Sequence, residues 1–223
     1  MSRVAGLRRA QSSRHESQLF DIYLKELIEW NRKFNLTSIT DPTEIKKKHF
    51  DDSLLLLQIF QLTNESVVDI GAGAGFPGVP LKIACPEIKL TLIDSVRKKI
   101  EFLNHLIKTL GLKDAAAIWS RAEDYAGKNR ERFDLAISRA VASLNILCEY
   151  CLPLVRVGGT YVAYKEESIS SEIEEAKNAM SELGGELVEV KRFPRRALVV
   201  IKKAHPTPPQ YPRRPGLAKK RPL

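Results

Sequence analysis

From residue 66 onward, short apolar runs alternate with longer segments of helical character. That alternation predicts strands interleaved with helices, and hence a parallel sheet with covered faces. Strands are expected at 66–70, 89–94, 115–119, 133–138, 160–165, 186–193 and 197–201. Apolar positions recur every three to four residues at 95–110 and 168–183, predicting helices that Gly111 and Gly184-Gly185 close, and a shorter apolar segment at 79–84 is helix-compatible. Only Pro194-Arg195-Arg196 separates the last two strands, so they form a hairpin and the final strand runs antiparallel. The fold class is α/β: a Rossmann-like seven-stranded sheet, mostly parallel with an antiparallel last strand.

Upstream of the sheet the period is helical. Leu19, Ile22, Tyr23, Leu27 and Trp30 mark one amphipathic helix over 15–32. A second begins near Asp41-Pro42-Thr43-Glu44, where a cap and a first-turn proline coincide, and carries Ile45, Phe50, Leu54 and Leu57. Together they form an N-terminal helical cap. The chain divides into a basic arm (1–14), the cap (15–62), a ligand-binding domain (63–203) and a basic, proline-rich tail (204–223). His49, inside the second helix, has two readings: contact with substrate or cofactor, or donation to a backbone carbonyl.

The stretch from Ser66 to Gly78 organises the domain. A strand ends in Asp69-Ile70 and meets Gly71, Gly73 and Gly75, followed by Phe76-Pro77-Gly78. Glycines there admit positive φ and let a ligand approach the backbone, whose N–H groups face whatever binds. Their spacing leaves the ligand open. Gly71-x-Gly73-x-Gly75 suits an S-adenosyl-L-methionine loop, whereas Gly73-x-Gly75-x-x-Gly78 also satisfies the dinucleotide fingerprint. Asp94 ends the second strand and suits ribose hydroxyls in either cofactor. After the third strand, Ala122, Glu123 and Asp124 lie where an adenine would rest, with Glu123 or Asp124 bonding its amine or capping a helix.

The placement of charge is more informative than the net +9. Residues 1–14 carry four arginines and residues 202–223 carry seven lysines and arginines, with no acid in either, so the body between them is slightly acidic. Basic arms of this kind are the electrostatic footprint of a polyanion-binding protein. No apolar run reaches the roughly 18 residues of a membrane span, and the start lacks a signal-peptide core, so a soluble, cytoplasmic, monomeric protein is expected. Cys85, Cys148 and Cys151 read as reduced thiols, and Cys148-x-x-Cys151 as core packing; no metal site is expected.

The end of the fourth strand bears on chemistry. It reads Ser138-Arg139-Ala140-Val141, without the Asn- or Asp-Pro-Pro-aromatic run that takes up amine hydrogens in enzymes methylating exocyclic amines. An attacking ring nitrogen such as guanine N7 already presents a lone pair and needs no such acceptors. Arg139 would then contact guanine O6, a phosphate or a cofactor carboxylate, or pair structurally with an acid. Lys165, at the tip of the fifth strand, and Arg196, between the last two, point to the same rim and could hold RNA phosphates or solvate the surface.

With these residues quoted, the chain resembles the ribosomal RNA small-subunit methyltransferase G family, also called glucose-inhibited division protein B. The resemblance runs from Asn31-Arg32-Lys33-Phe34-Asn35-Leu36-Thr37 through His49-x-x-Asp52-Ser53, the loop Asp69 to Leu81, Asp94-Ser95 and Ser138-Arg139-Ala140 to Tyr211-Pro212-Arg213-Arg214. It implies S-adenosyl-L-methionine-dependent methylation of N7 of one guanine in 16S rRNA of the small ribosomal subunit. It also implies cofactor contacts at Gly71, Phe76, Ala122, Glu123 and Arg139, and an RNA-facing Arg196. Where the family often has Lys-Gly after the fifth strand, this chain has Lys165-Glu166. Two other functions are compatible with the residues: a catalytically silent ribosome-assembly RNA-binding protein of the same fold, and a nicotinamide-dependent oxidoreductase, which would lack a Tyr-x-x-x-Lys pair.

Overall fold

A computed structural model describes residues 2–139 and 142–223, with side chains from Arg14 onward. Ala140 and Val141, and the side chains of the expected basic arm up to Ser13, lie outside the described residues. The elements in chain order are α1 (Ser2–Phe34), α2 (Pro42–Ile45), α3 (Asp52–Leu54), β1 (Ser66–Ile70), α4 (Gly78–Ala84), β2 (Lys89–Asp94), α5 (Arg97–Leu110), β3 (Ala115–Trp119), α6 (Ala122–Lys128), β4 (Phe133–Arg139), α7 (Leu144–Cys151), β5 (Val155–Lys165), α8 (Ser170–Glu182), β6 (Gly185–Phe193), β7 (Arg196–Lys203) and α9 (Leu217–Lys220).

The strands form one sheet in the order β3-β2-β1-β4-β5-β7-β6. β1 to β5 are parallel, and β7 lies between β5 and β6, antiparallel to both. Alternate residues of each strand feed two cores. Val67, Leu135, Ile137, Val162 and Val200 face α1, α4 and α5, while Val68, Ala136, Tyr161, Ala163 and Val199 face α7 and α8. Cys148 and Cys151 are buried in the second core. The chain reverses its winding between β1 and β4, so the crevice beyond the carboxyl ends of those two strands is where a ligand sits in such sheets.

Three departures from the sequence pattern shape that crevice. The second cap helix is not continuous: α2 passes into a π-helical turn, Lys46–Asp51, before α3 and a 3-10 turn, Leu55–Gln58. A π turn adds a residue to the helical register and swings the following side chains round. β5 starts five residues before the expected 160, because Gly158 (φ +83°) and Gly159 sit within the strand at a bulge opposite Phe133 and Leu135. The hairpin turn is Pro194-Arg195 alone, with Arg195 at φ +67°, so Arg196 is the first residue of β7 and pairs with Phe193.

The loop after β1 is held from below. Asp69, fully buried, accepts from the Gly78 N–H at 2.8 Å, and its other oxygen has no partner among the described residues. Burial outweighs that hydrogen bond and raises its pKa to about 7. Tyr23 of α1, also fully buried, donates from its hydroxyl to the Ala74 carbonyl at 2.5 Å. Gly75 (φ +101°) has no room for a side chain, since a Cβ there would lie 2.7 Å from the same hydroxyl. The cap thus touches the loop directly.

Two outcomes follow from these contacts. Tyr23→Phe leaves the Ala74 carbonyl buried without a donor and is expected to cost about 1–2 kcal/mol in urea unfolding; an unchanged midpoint would mean the bond contributes nothing. The folded chain holds the Asp69 proton up to about pH 7, whereas the unfolded chain releases it near about pH 4. The associated stability is present at low pH and lost as pH rises through 7. Relative to Asp69→Asn, which keeps an acceptor for Gly78, the wild type should therefore lose about 2 kcal/mol between about pH 5 and pH 8. A stability difference that stays flat with pH would show Asp69 ionised throughout.

Candidate active site

β4 ends in Arg139, which crosses to the cap. Its guanidinium donates to Asp52 Oδ2 at 2.8 Å and to His49 Nδ1 at 3.3 Å, and it lies 4.9 Å from the centre of the Phe76 ring. Arg196, at the start of β7, donates to the other oxygen of Asp52 at 2.7 Å and to the Lys165 carbonyl at 3.4 Å. One carboxylate therefore receives two guanidinium groups, from residues 87 and 144 positions away. All three side chains are largely shielded from water, which strengthens the pairing and makes removal of the shared acid costly.

His49 stacks on Phe76 with ring centroids 4.5 Å apart, and its Nε2 lies 2.9 Å from Thr37 Oγ1. Desolvation and then the charge on Arg139 push its pKa down to about 4, so the ring is neutral at physiological pH. The partners assign the tautomer: Nδ1 accepts from Arg139 and Nε2 donates to Thr37. Thr37 is itself fixed by Asn31, whose amide both donates to the Thr37 carbonyl and accepts from its N–H at 2.9 Å. This explains the Asn31 to Thr37 stretch in chemical terms.

Two cavities meet the glycine loop from different sides. The larger, about 520 Å³, is lined by Gly73, Ala74, Phe76, His49, Arg139 and Arg196, with Lys47, Lys48 and Arg195 on its rim. The smaller, about 190 Å³, is lined by Gly71, Asp94, Val96, Ala122, Glu123 and Lys219. Asp94 secures the loop between them, accepting from Gly73 N–H at 2.9 Å and from Val96 N–H at 2.8 Å. Most of the loop's own donors are spent internally. Gly71 and Ala72 bond to the Ile93 carbonyl, Gly73 to Asp94, Gly75 and Phe76 to the Ala72 carbonyl, and Gly78 to Asp69. A dinucleotide pyrophosphate needs those N–H groups free. The α4 N-terminus is likewise closed off, since Gly78 to Lys82 are buried.

The residues singled out in the sequence separate accordingly. Gly73, Phe76, Arg139 and Arg196 share the larger cavity, and Gly71, Asp94, Ala122 and Glu123 the smaller. Gly75 lies beneath the loop, against Tyr23. Lys165 faces neither: its ammonium pairs with Glu172 at 2.8 Å and donates to the Ala142 carbonyl at 2.8 Å, beside Glu166 and Glu175. Glu123 is buried and accepts from the Gly216 N–H at 2.9 Å. The sequence pattern assigns no polar contact to Asp52, Thr37, Tyr23 or Gly216. For Asp52 the one signal was its place three residues after His49, on one face of a helix.

The chain matches the family described as GidB, rRNA small subunit methyltransferase G, over residues 16–199. A relative named ribosomal RNA small subunit methyltransferase G, from Bacillus cytotoxicus, is 44% identical over 229 residues, covering 99% of this chain and 96% of its own length. Among solved structures, the fold is similar to ribosomal protein L11 methylase from Lactobacillus delbrueckii subsp. bulgaricus, with a TM-score of 0.56, 16% identity and coverage of 71% of this chain and 79% of the other. It is also similar to a SAM-dependent methyltransferase from Aquifex aeolicus, with a TM-score of 0.54, 16% identity and coverage of 72% and 93%. Seven strands with an antiparallel β7, a helical cap and a match through most of the chain place it in one group: the chain belongs to the rRNA small subunit methyltransferase G family.

Proposed function

We propose that this chain transfers a methyl group from S-adenosyl-L-methionine to N7 of one guanine in 16S rRNA, acting as a monomer on the small ribosomal subunit in the cytoplasm. Among the described residues no helix is long and apolar enough to cross a membrane.

The residues present fit the cofactor. A Cβ built on Gly73 (φ +59°) would meet only the Gly71 carbonyl oxygen, at 3.8 Å, so the backbone there borders open space that a side chain would fill. Asp94 offers carboxylate oxygens to a ribose diol, while Ala122 and Glu123 border the space for an adenine. Gly71, Gly73 and Phe76 would hold the rest, with Arg139 available to a carboxylate. When bound, S-adenosyl-L-methionine supplies an electrophilic methyl group on a sulfonium.

The observation that carries the reading is how the proton acceptors beside Phe76 are used. Asp52 is committed to two arginines, His49 Nδ1 accepts from Arg139, and His49 Nε2 carries its proton toward Thr37. None of these buried groups is free to act as a general base, Asp51 on the same cavity lies out in solvent, and N7 of guanine needs no base. The chain's contribution is alignment and charge: Arg139, held by Asp52 and His49, turns its remaining N–H groups to O6, a phosphate or the cofactor carboxylate, and the cavity walls hold the ring at attack distance. Lys47, Lys48, Arg195 and Arg196 offer cations to RNA phosphates around the opening. An oxidoreductase is disfavoured because the loop's N–H groups are occupied.

Radiolabelled methyl transfer to isolated small subunits and to protein-free 16S rRNA tests this reading. Incorporation into either is expected; none, from folded protein that binds both RNA and cofactor, would favour the binding-only alternative. Arg139→Lys keeps the charge and loses the fork, and should lower turnover about 10- to 100-fold while shifting the melting temperature by only a few degrees. A large loss of thermal stability with proportionate loss of activity would make Arg139 structural.

A further inference from the structure

The C-terminal tail is docked along the domain. The Arg130 guanidinium donates to the carbonyls of Thr207, Pro208 and Tyr211. Arg213 makes a close ion pair with Glu149, which is 1% exposed, and Tyr211 and Ala218 are buried in the second core. Between Arg213 and Ala218 the chain turns at Gly216 (φ +82°), whose N–H donates to Glu123 Oε1 at 2.9 Å, and Lys219 reaches the smaller cavity. The Tyr150 hydroxyl lies beside the same carboxylate, and its pKa is pushed up to about 12 by burial and then by that charge.

We infer that residues 216–220 form the outer wall of the adenine subsite, and that the Gly216 N–H is a positioning group that sets which atom of residue 123 faces the nucleobase. This rests on the S-adenosyl-L-methionine reading above. With Oε1 held by Gly216, Oε2 of Glu123 is the acceptor presented to the cavity, and an acceptor selects the exocyclic amine of adenine over the carbonyl of hypoxanthine. The tail thereby contributes to cofactor recognition, through a backbone group that no side-chain motif reveals.

The test compares S-adenosylhomocysteine with its deaminated analogue, S-inosylhomocysteine, by calorimetry. The full-length wild type should prefer the adenosyl form at least tenfold. A chain ending at Pro215 keeps the Arg130 and Arg213 anchors, and should bind the adenosyl form at least tenfold more weakly, while the carboxylate, an acceptor through either oxygen, still favours it over the inosyl form. Glu123→Gln in the full-length chain supplies the sharper readout. Gly216 fixes the amide oxygen, so the amide NH₂ faces the base and preference should shift to the inosyl form; in the shortened chain the amide is free to turn and the shift should vanish. Equal weakening of both ligands by Glu123→Gln, or unchanged affinities in the shortened chain, would overturn the inference while leaving the cofactor assignment intact. A wild type that binds neither ligand would overturn both.

Discussion

Two acidic side chains hold the backbone between β1 and α4, and the rest of the site depends on them. Asp69, from within β1, takes the Gly78 N–H, and Asp94, from the end of β2, takes the Gly73 N–H. The loop is thus tied at both ends to the sheet that created it, with Tyr23 of the cap pressing on its middle. Such a loop has given its donors to its own protein. It offers shape and nearby acids where a pyrophosphate-binding loop would offer free N–H groups, and this distinguishes the two readings that the glycine spacing alone leaves open.

The second organising contact is the carboxylate of Asp52, which joins the cap, the end of β4 and the start of β7 through Arg139 and Arg196. A buried acid with one arginine is a pair; with two it leaves local positive charge that a polyanion can use. His49, neutral and stacked on Phe76, completes the wall with its one acceptor already taken by Arg139. The cap is therefore part of the site, and its π turn is the local distortion preceding Asp52.

Much of the fold was legible because strand periodicity, glycine closures and the short hairpin turn are local signals. All seven strands lie where the alternation puts them, with β5 extended by a bulge that no apolar pattern encodes. The glycine loop and Asp94 could be read for the same reason: motif and chemistry lie within about thirty residues of each other. Asp52 could not, since its partners are 87 and 144 residues away and become neighbours only when the sheet assembles. Lys165 shows the converse. Its place at a strand tip suits a phosphate contact or surface solvation, and the pairing with Glu172 on α8 is invisible until the two elements meet. The tail's charge suggested an RNA-binding arm; Arg213 of the tail and Arg130 of the domain anchor it, while Arg214, Lys219, Lys220 and Arg221 stay exposed.

If the site aligns a nitrogen that is already nucleophilic, the identity of the methylated atom is the decisive readout. Methylation at N7 leaves a cationic imidazolium in the guanine, which borohydride reduces and aniline then cleaves at the strand. After incubation of the protein with S-adenosyl-L-methionine and small subunits lacking the modification, the treated 16S rRNA should break at a single guanine. Methyl incorporation with no such break would place the group on another atom and contradict the base-free mechanism.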